Sequence, residues 1–303
     1  MGNFRKILAT ALRLAALTSI AGVGAVKLFA DQNAPPHGAP AVNSDRPSVF
    51  TASLSNGVSI GILGIGENPS TGKQWWLANG DLLNTPPYAR MQNSPNSPSA
   101  GCVTREFSVQ VNNRVSGSVD PATVWWEVAK GYYVQSNVDD QRGKEIPGML
   151  ARAETVPDIP DGATIHANVA AGKWNVALTL GAGGCGGLMN YPGCPKFVVF
   201  SQTFAVKNET HIFYVCGQRS GLDVRFTAID RAGKPVPTNC VNATGSADTL
   251  VAEYNVNLPL KSIREWQLQS RPFDQWMEIR GISLHAGQRK NVTAATSDDQ
   301  QHP

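Results

Sequence analysis

"SVFTASLSNGVSIGILGI", residues 48–65, is the stretch that decides the fold. Phe50, Ala52 and Leu54 alternate with small polar residues, and Val58, Ile60 and Ile62 alternate again after Ser55-Asn56-Gly57. A period of two on both sides of an Asn-Gly turn predicts a β-hairpin, because alternate side chains of a strand share one face. The same rhythm runs outward through "REFSVQV" (105–111), "FVVFSQTFAV" (197–206), "HIFYVC" (211–216), "DVRFTAI" (223–229), "LVAEYNVNL" (250–258), "SIREWQLQ" (262–269) and "QWMEIRGISL" (275–284). In the last of these the apolar parity shifts at Gly281, as a β-bulge would read in sequence. "TIHANVAAGKWNVALTL" (164–180) reads as two strands around an Ala-Gly turn. "DPATVWWEVAK" (120–130) is the one segment with a helical start signal, and Val124-Trp125-Trp126 turns it toward strand. No segment sustains a 3.6 period over three turns. The expectation is an all-β protein, an antiparallel sandwich over 48–288 that is either one large unit or two closely packed ones. Two long loops are expected at 84–101 and about 136–162, and a disordered polar tail at 289–303.

The rest of the chain gives an address. Arg5 and Lys6 precede an apolar run of 13 residues, "LAALTSIAGVGAV" (14–26). That is short for a span of about 20 residues and suited to an export signal, with Val23-x-Ala25 at a cleavage position. The alternative is an uncleaved anchor over residues 7–30, with Arg13 and Lys27 snorkelling. Residues 1–30 are therefore a signal peptide or membrane anchor and 31–47 a Pro-rich linker, which makes the protein extracytoplasmic, touching the membrane only through that segment. The net charge of +3 is small and spread out, with no basic patch interleaved with aromatics, which excludes a nucleic-acid partner. In an exported chain cysteines pair. Cys185 and Cys194 bracket the loop "CGGLMNYPGC" and are expected to pair, Cys216 with Cys240 next, leaving Cys102 a buried thiol. No Cys-x-x-Cys pair is present, so no metal is expected.

"ENPSTGK" (67–73) resembles a phosphate loop only superficially. Glu67 stands where the first Gly is required, Gln74 where Ser or Thr is required, and a Trp pair follows where a helix should start. It is a turn between strands, and no nucleotide or other cofactor is expected. No catalytic residue is expected either: the histidines are isolated, His166 and His211 read as half-buried strand residues, and no Gly-x-Ser-x-Gly or His-Glu-x-x-His is present. Trp75-Trp76 and Trp125-Trp126 are adjacent pairs on strands, so each sends one ring inward and one outward. The outward ring is either a sugar-stacking platform or is covered by a loop or second domain.

Two further stretches carry a likeness. Pro69-Ser70, Gly72, Trp75-Trp76 and Gly80, then Arg264, Gln267 or Gln269, Arg271-Pro272, Glu278, Leu284 and Gly287, form a pattern. It resembles an uncharacterised exported β-rich module of planctomycete-type bacteria, found C-terminal to the membrane region of BlaR-like metallopeptidases. The resemblance covers about the first and last fifths of the globular region. It implies an extracytoplasmic β-rich module on a short signal or tether; with no zinc helix here, it carries over no peptidase activity. Arg264, Arg271 and Glu278 are expected to form a structural ion-pair cluster. The function expected is non-enzymatic sensing or binding in the cell envelope, with an envelope protein or a glycan as partner. A carbohydrate-binding module using an outward Trp is the alternative, and a hydrolase with an unrecognised site stands behind it.

Overall fold

The computed structural model describes residues 50–67, 74–91, 102–118, 120–128, 133–140, 142–189, 196–217, 221–245 and 249–300. The N-terminal apolar segment, the linker, the 68–73 turn and Cys194 lie outside the described residues. In chain order the strands begin with β1 (Phe50–Ser53), β2 (Ser59–Glu67), β3 (Trp75–Trp76), β4 (Leu82–Leu83), β5 (Arg90–Met91), β6 (Cys102–Asn112) and β7 (Thr123–Glu127). They continue with β8 (Tyr133–Asp139), β9 (Glu145–Pro157), β10 (Ala163–Ala170), β11 (Asn175–Gly181), β12 (Gly184–Met189), β13 (Phe197–Gln202), β14 (Phe204–Val206) and β15 (Glu209–Gly217). The last are β16 (Leu222–Asp230), β17 (Pro235–Pro237), β18 (Asn239–Gly245), β19 (Thr249–Val256), β20 (Ile263–Pro272), β21 (Gln275–Ile282) and β22 (Thr293–Thr296).

These strands form four antiparallel sheets in two sandwiches. The first sheet runs β4-β3-β2-β6-β9-β8-β5, with β1 on β2, and the second runs β22-β21-β10-β7. Ile60, Ile62, Phe107 and Val109 of the first meet Ile165, Val169, Met277 and Ile279 of the second in one buried core. The third sheet runs β11-β20-β16-β17 and the fourth β12-β13-β15-β19-β18, with β14 on β15. Their core is Val198, Phe200, Ile212 and Tyr214 against Phe226, Trp266 and Leu268. The rings of Phe226 and Trp266 stack at 5.2 Å and 3°. Each large apolar side chain so buried contributes roughly 1.5–3 kcal/mol, so each sandwich has a core of its own.

The second sandwich is an insertion into the first. The chain leaves after β10, builds β11 to β20, and returns as β21, which pairs directly with β10 (Ala167↔Met277). Where the two crossings lie side by side, the indole of Trp174 is clamped between the guanidinium groups of Arg225, 4.3 Å from the ring, and Arg271, 4.1 Å from it. Buried Arg271 donates to Asp223 Oδ2 (2.8 Å) in its own sandwich, and to Pro121 O and Thr123 Oγ1 (3.0 Å each) in the other.

The 48–65 hairpin forms as expected, with Leu54 N donating to Val58 O at 2.9 Å and Gly57 at φ +93°. The bulge at Gly281 is present too. Ala163 pairs with Ile282 and Ile165 with Ile279, so β21 carries one residue more than β10. Gly281 takes φ +70°, and a Cβ there would sit 2.5 Å from Asn291 O.

The two strands within 164–180 form on either side of the Ala-Gly turn as expected, and they belong to different sheets: β10 pairs with β7 and β21, and β11 with β20. Their apolar faces serve different cores, a non-local choice that a short turn between two alternating runs cannot reveal. Other expectations are corrected. The expected loop at 136–162 is largely β8 and β9, disguised by Arg152 and Glu154, which are buried charges rather than solvated ones. Arg152 stacks on Trp126 at 4.3 Å and Glu154 accepts from Val128 N. The expected tail at 289–303 instead supplies β22, which pairs with β21 through Met277↔Thr296. Asp298 behind it accepts from Ser55 N at 2.6 Å.

The Cys216–Cys240 pairing is also corrected. β15 and β18 lie on either side of β19, so the two thiols are separated by two strand spacings. That is roughly 9.5 Å across the sheet alone, with a further offset from Leu250 to Tyr254 along β19, beyond the Cα separation of about 7 Å that a disulfide tolerates. Cys216 Sγ sits 2.7 Å from Tyr214 Oη and burial pushes its thiol pKa up, while Cys240 donates to Asn242 O. Cys185 is a free, exposed thiol at φ +65°, and Cys102 is free and half-buried.

Candidate functional site: the outer face of the second sheet

Adjacent Trp pairs divide between the two faces of a strand as expected. Trp76 and Trp126 point inward and are fully buried at 0% and 1% exposure. Trp76 donates its Nε1 to Ser283 O at 2.9 Å and lies under the guanidinium of Arg105. Trp75 points outward but is half-buried. Its ring lies across Gly66 and meets Tyr88 edge-on at 5.3 Å and 81°. Trp125, also half-buried, shares the outer face of the second sheet. Each of the seven tryptophans lies within the described residues, and none is exposed.

Register assembles the site. Residues directly opposite one another on antiparallel strands share a face, as do residues two apart along a strand. Asn168 of β10 is opposite both Trp125 of β7 and Trp276 of β21. His166, two residues earlier, is opposite both Glu127 and Glu278. The outward face of the second sheet therefore carries a row Trp125–Asn168–Trp276 beside a row Glu127–His166–Glu278. Asn168 and His166 are exposed, while both rings and both carboxylates are half-buried. A shallow groove of about 230 Å³ runs between β10 and β21, lined by His166, Asn168, Trp276 and Glu278.

Polar contacts orient the second row. His166 Nδ1 lies 3.0 Å from Glu278 Oε1, and the Arg280 guanidinium donates to Glu278 Oε2 from the other side. The carboxylate is thus held between two basic groups and keeps a fixed direction. Asn168 offers a free-standing amide, a donor and an acceptor together, with Trp125 and Trp276 as its cross-strand neighbours, and the Trp125 ring also lies 5.7 Å from the buried Arg152 guanidinium.

The expected ion-pair cluster of Arg264, Arg271 and Glu278 does not come together. Arg264 pairs with Glu265 at 3.1 Å on the exposed end of β20. Arg271 pairs with Asp223 at the junction of the sandwiches, and Glu278 pairs with His166 and Arg280 in the second sheet. Arg264 and Arg271 are seven residues apart on one strand, roughly 23 Å, and on opposite faces of it. Sequence reasoning found Trp125 and Glu278 but gave Glu278 a structural role. It set His166 aside as an ordinary strand residue and missed Asn168, Trp276 and the clamp residue Trp174. Period-two parity placed each residue on a face; only register says which faces become one row. Among the described residues no group of three or more His, Cys, Asp or Glu is placed to hold a metal, and no helix is long and apolar enough to cross a membrane.

The chain matches no protein-family model and no curated protein. Among solved structures, a conserved domain protein from Bacillus anthracis aligns over 82% of this chain and 90% of that one, at 10% identity and a TM-score of 0.23.

Proposed function

We propose that this protein is a non-enzymatic binding protein of the cell envelope, and that the outer face of its second sheet takes a glycan chain. The observation that carries the reading is the Trp125–Asn168–Trp276 row. Two strand intervals separate the tryptophans, roughly 9.5 Å. That matches the interval at which every second ring of an extended β-linked glycan presents the same face. Sugar rings stack on aromatic faces, and hydroxyls bond to the amide and carboxylates between them. Acidic Glu127 and Glu278 stand beside a single guanidinium, that of Arg280, which suits a neutral polar chain better than a polyanion. The extracytoplasmic location expected from residues 1–30, exported or tethered by residues 7–30, supports a cell-wall polymer as the partner.

The test is tryptophan fluorescence of the full chain titrated with soluble β-linked oligosaccharides and cell-wall glycan fragments. Saturable quenching that is lost in Asn168→Ala and in Trp276→Ala, but kept in Arg264→Ala, is expected. No response from any glycan, or one indifferent to Asn168, overturns the reading.

A further inference from the structure

A second, separate feature lies on the inserted sandwich, at the free edge of its fourth sheet. β13 and β14 run one after the other along β15, and β12 covers only the first of them. β12 begins with Gly184 opposite Gln202, and the turn before it reaches Thr203, whose N–H and Oγ1 donate to Gly183 O and Ala182 O at 3.0 Å each. Phe204, Ala205 and Val206 continue past that turn, all three exposed, and among the described residues no strand pairs with their other edge. The two-residue turn Lys207-Asn208, with Lys207 at φ +56°, makes Val206 and Glu209 the closing hydrogen-bonded pair of the β14–β15 hairpin. Hydrogen bonding alternates along an antiparallel ladder, so the N–H and C=O of Ala205 point away from β15, into the open edge.

The side chains beside this edge give it a chemical character. Phe204 and Val206 share the outer face with His211 and Glu209, which stand opposite them. Phe204 stacks on Phe213 at 5.5 Å and 19°, yet the two remain 36% and 42% exposed. Against Phe204 the imidazole of His211 lies between two carboxylates, with Nδ1 2.8 Å from Glu253 Oε1 and Nε2 3.3 Å from Glu209 Oε2. One imidazole between two carboxylates leaves this row with an excess of negative charge, and Glu209 is the more exposed of the two acids.

We propose that β14 is a docking edge for a short extended segment of another protein that alternates a basic and an apolar side chain. The segment adds as a strand, and its central residue exchanges two backbone hydrogen bonds with Ala205. Its apolar side chain stands opposite Phe204 and covers that ring; exposed apolar patches of this kind mark protein contacts. Its basic side chain stands opposite Val206 and crosses two strand intervals, roughly 9.5 Å, to reach Glu209. Antiparallel to β14, the order is basic, any residue, apolar. Just past Phe204 such a segment meets the β11–β12 turn, so it ends or bends away there. A second copy does not fit, because a two-fold at Ala205 would bring its hairpin turn onto Thr203, whose N–H is already taken by Gly183 O. So short an edge does not seed an open-ended sheet, but it holds one strand. The proposal is independent of the glycan face, which belongs to the first sandwich.

The experiment uses the full chain, isotope-labelled at its alanine nitrogens, and reads the Ala205 amide by NMR during titration with acetyl-Lys-Thr-Val-amide. A strand that gains two backbone hydrogen bonds and a few exposed contacts binds weakly, so saturation is expected in about the millimolar range. The Ala205 signal should move downfield as its N–H acquires an acceptor. The same peptide N-methylated at its central residue cannot donate to Ala205 O and should bind about tenfold more weakly. Aspartate in place of the peptide lysine should weaken binding severalfold, and Glu209→Gln should bring the two peptides close together. No movement of Ala205 through the tens of millimolar, binding indifferent to N-methylation, or equal binding of the lysine and aspartate peptides to wild type overturns the assignment. An Ala205 shift that follows protein concentration without peptide makes the occupant a second copy and overturns it as well. Because the two control peptides change the ligand alone, the test does not depend on how any variant folds.

Discussion

Replacing Glu106 by Gln removes an ionisable group that is 1% exposed and unpaired on one oxygen, while keeping its size and shape. Its folded-state pKa is raised from 4.5 to about 7, and burial is the cause. The sign follows from proton binding. Between those two values the folded protein holds the proton and the unfolded chain has released it, so stability falls as pH rises through the window. Below pH 4.5 the stabilisation is fully present; above about pH 7 it is gone. A shift of about 2.5 units at 1.36 kcal/mol each makes the loss of the order of 3 kcal/mol. Urea unfolding of wild type and Glu106→Gln at matched ionic strength, from about pH 4.5 to about pH 8, measures it. Half-buried carboxylates whose pKa is lowered by hydrogen bonds, such as Asp81, Asp140 and Glu265, act alike in both proteins and cancel in the difference. The two should be close at the acid end, and the variant should gain progressively toward a few kcal/mol at the alkaline end. Stability curves that stay parallel across the range would refute the reasoning, since Glu106 would then be solvated or paired.

Four more outcomes are expected. Arg271→Ala strips Asp223 and the Trp174 stack of a buried guanidinium and cuts both hydrogen bonds across the sandwich junction, so it should destabilise by about 3–5 kcal/mol in urea unfolding. Arg264→Ala, by contrast, breaks only an exposed pair and should stay within about 1 kcal/mol of wild type in the same assay. Gly281→Ala forces a side chain into φ +70° against Asn291 O and should destabilise by about 2 kcal/mol or more, read as a lower urea midpoint. Maleimide labelling after unfolding without reductant should modify both Cys216 and Cys240; protection of the pair would show that they bridge.

How much of this was legible beforehand differs from element to element. The hairpin at 48–65 follows from contacts within a few residues, so alternation and an Asn-Gly turn were enough to find it, and the bulge at Gly281 left a parity shift within its own strand although its pairing partner is distant. The division of Trp75-Trp76 and Trp125-Trp126 between inner and outer faces was legible for the same reason: side chains alternate on any strand. β9 was not legible, because Arg152 and Glu154 look like solvated residues until Trp126 and Val128 are brought against them from far along the chain.

The sequence by itself determined an all-β antiparallel protein, the turns of its local hairpins and the parity of each strand, since these depend on neighbouring residues and the fixed geometry of the peptide unit. Tertiary structure decided the rest. It placed β21 beside β10 across an insertion of about a hundred residues, which set Trp125, Asn168 and Trp276 in one row and gave Glu278 to His166 rather than to Arg264 and Arg271. It placed glycines and alanines on both sides of Glu106 and packed Trp75 over the glycines, burying an ordinary strand carboxylate. Strand pairing is chosen by burial of whole faces against distant partners, and no local pattern carries that choice.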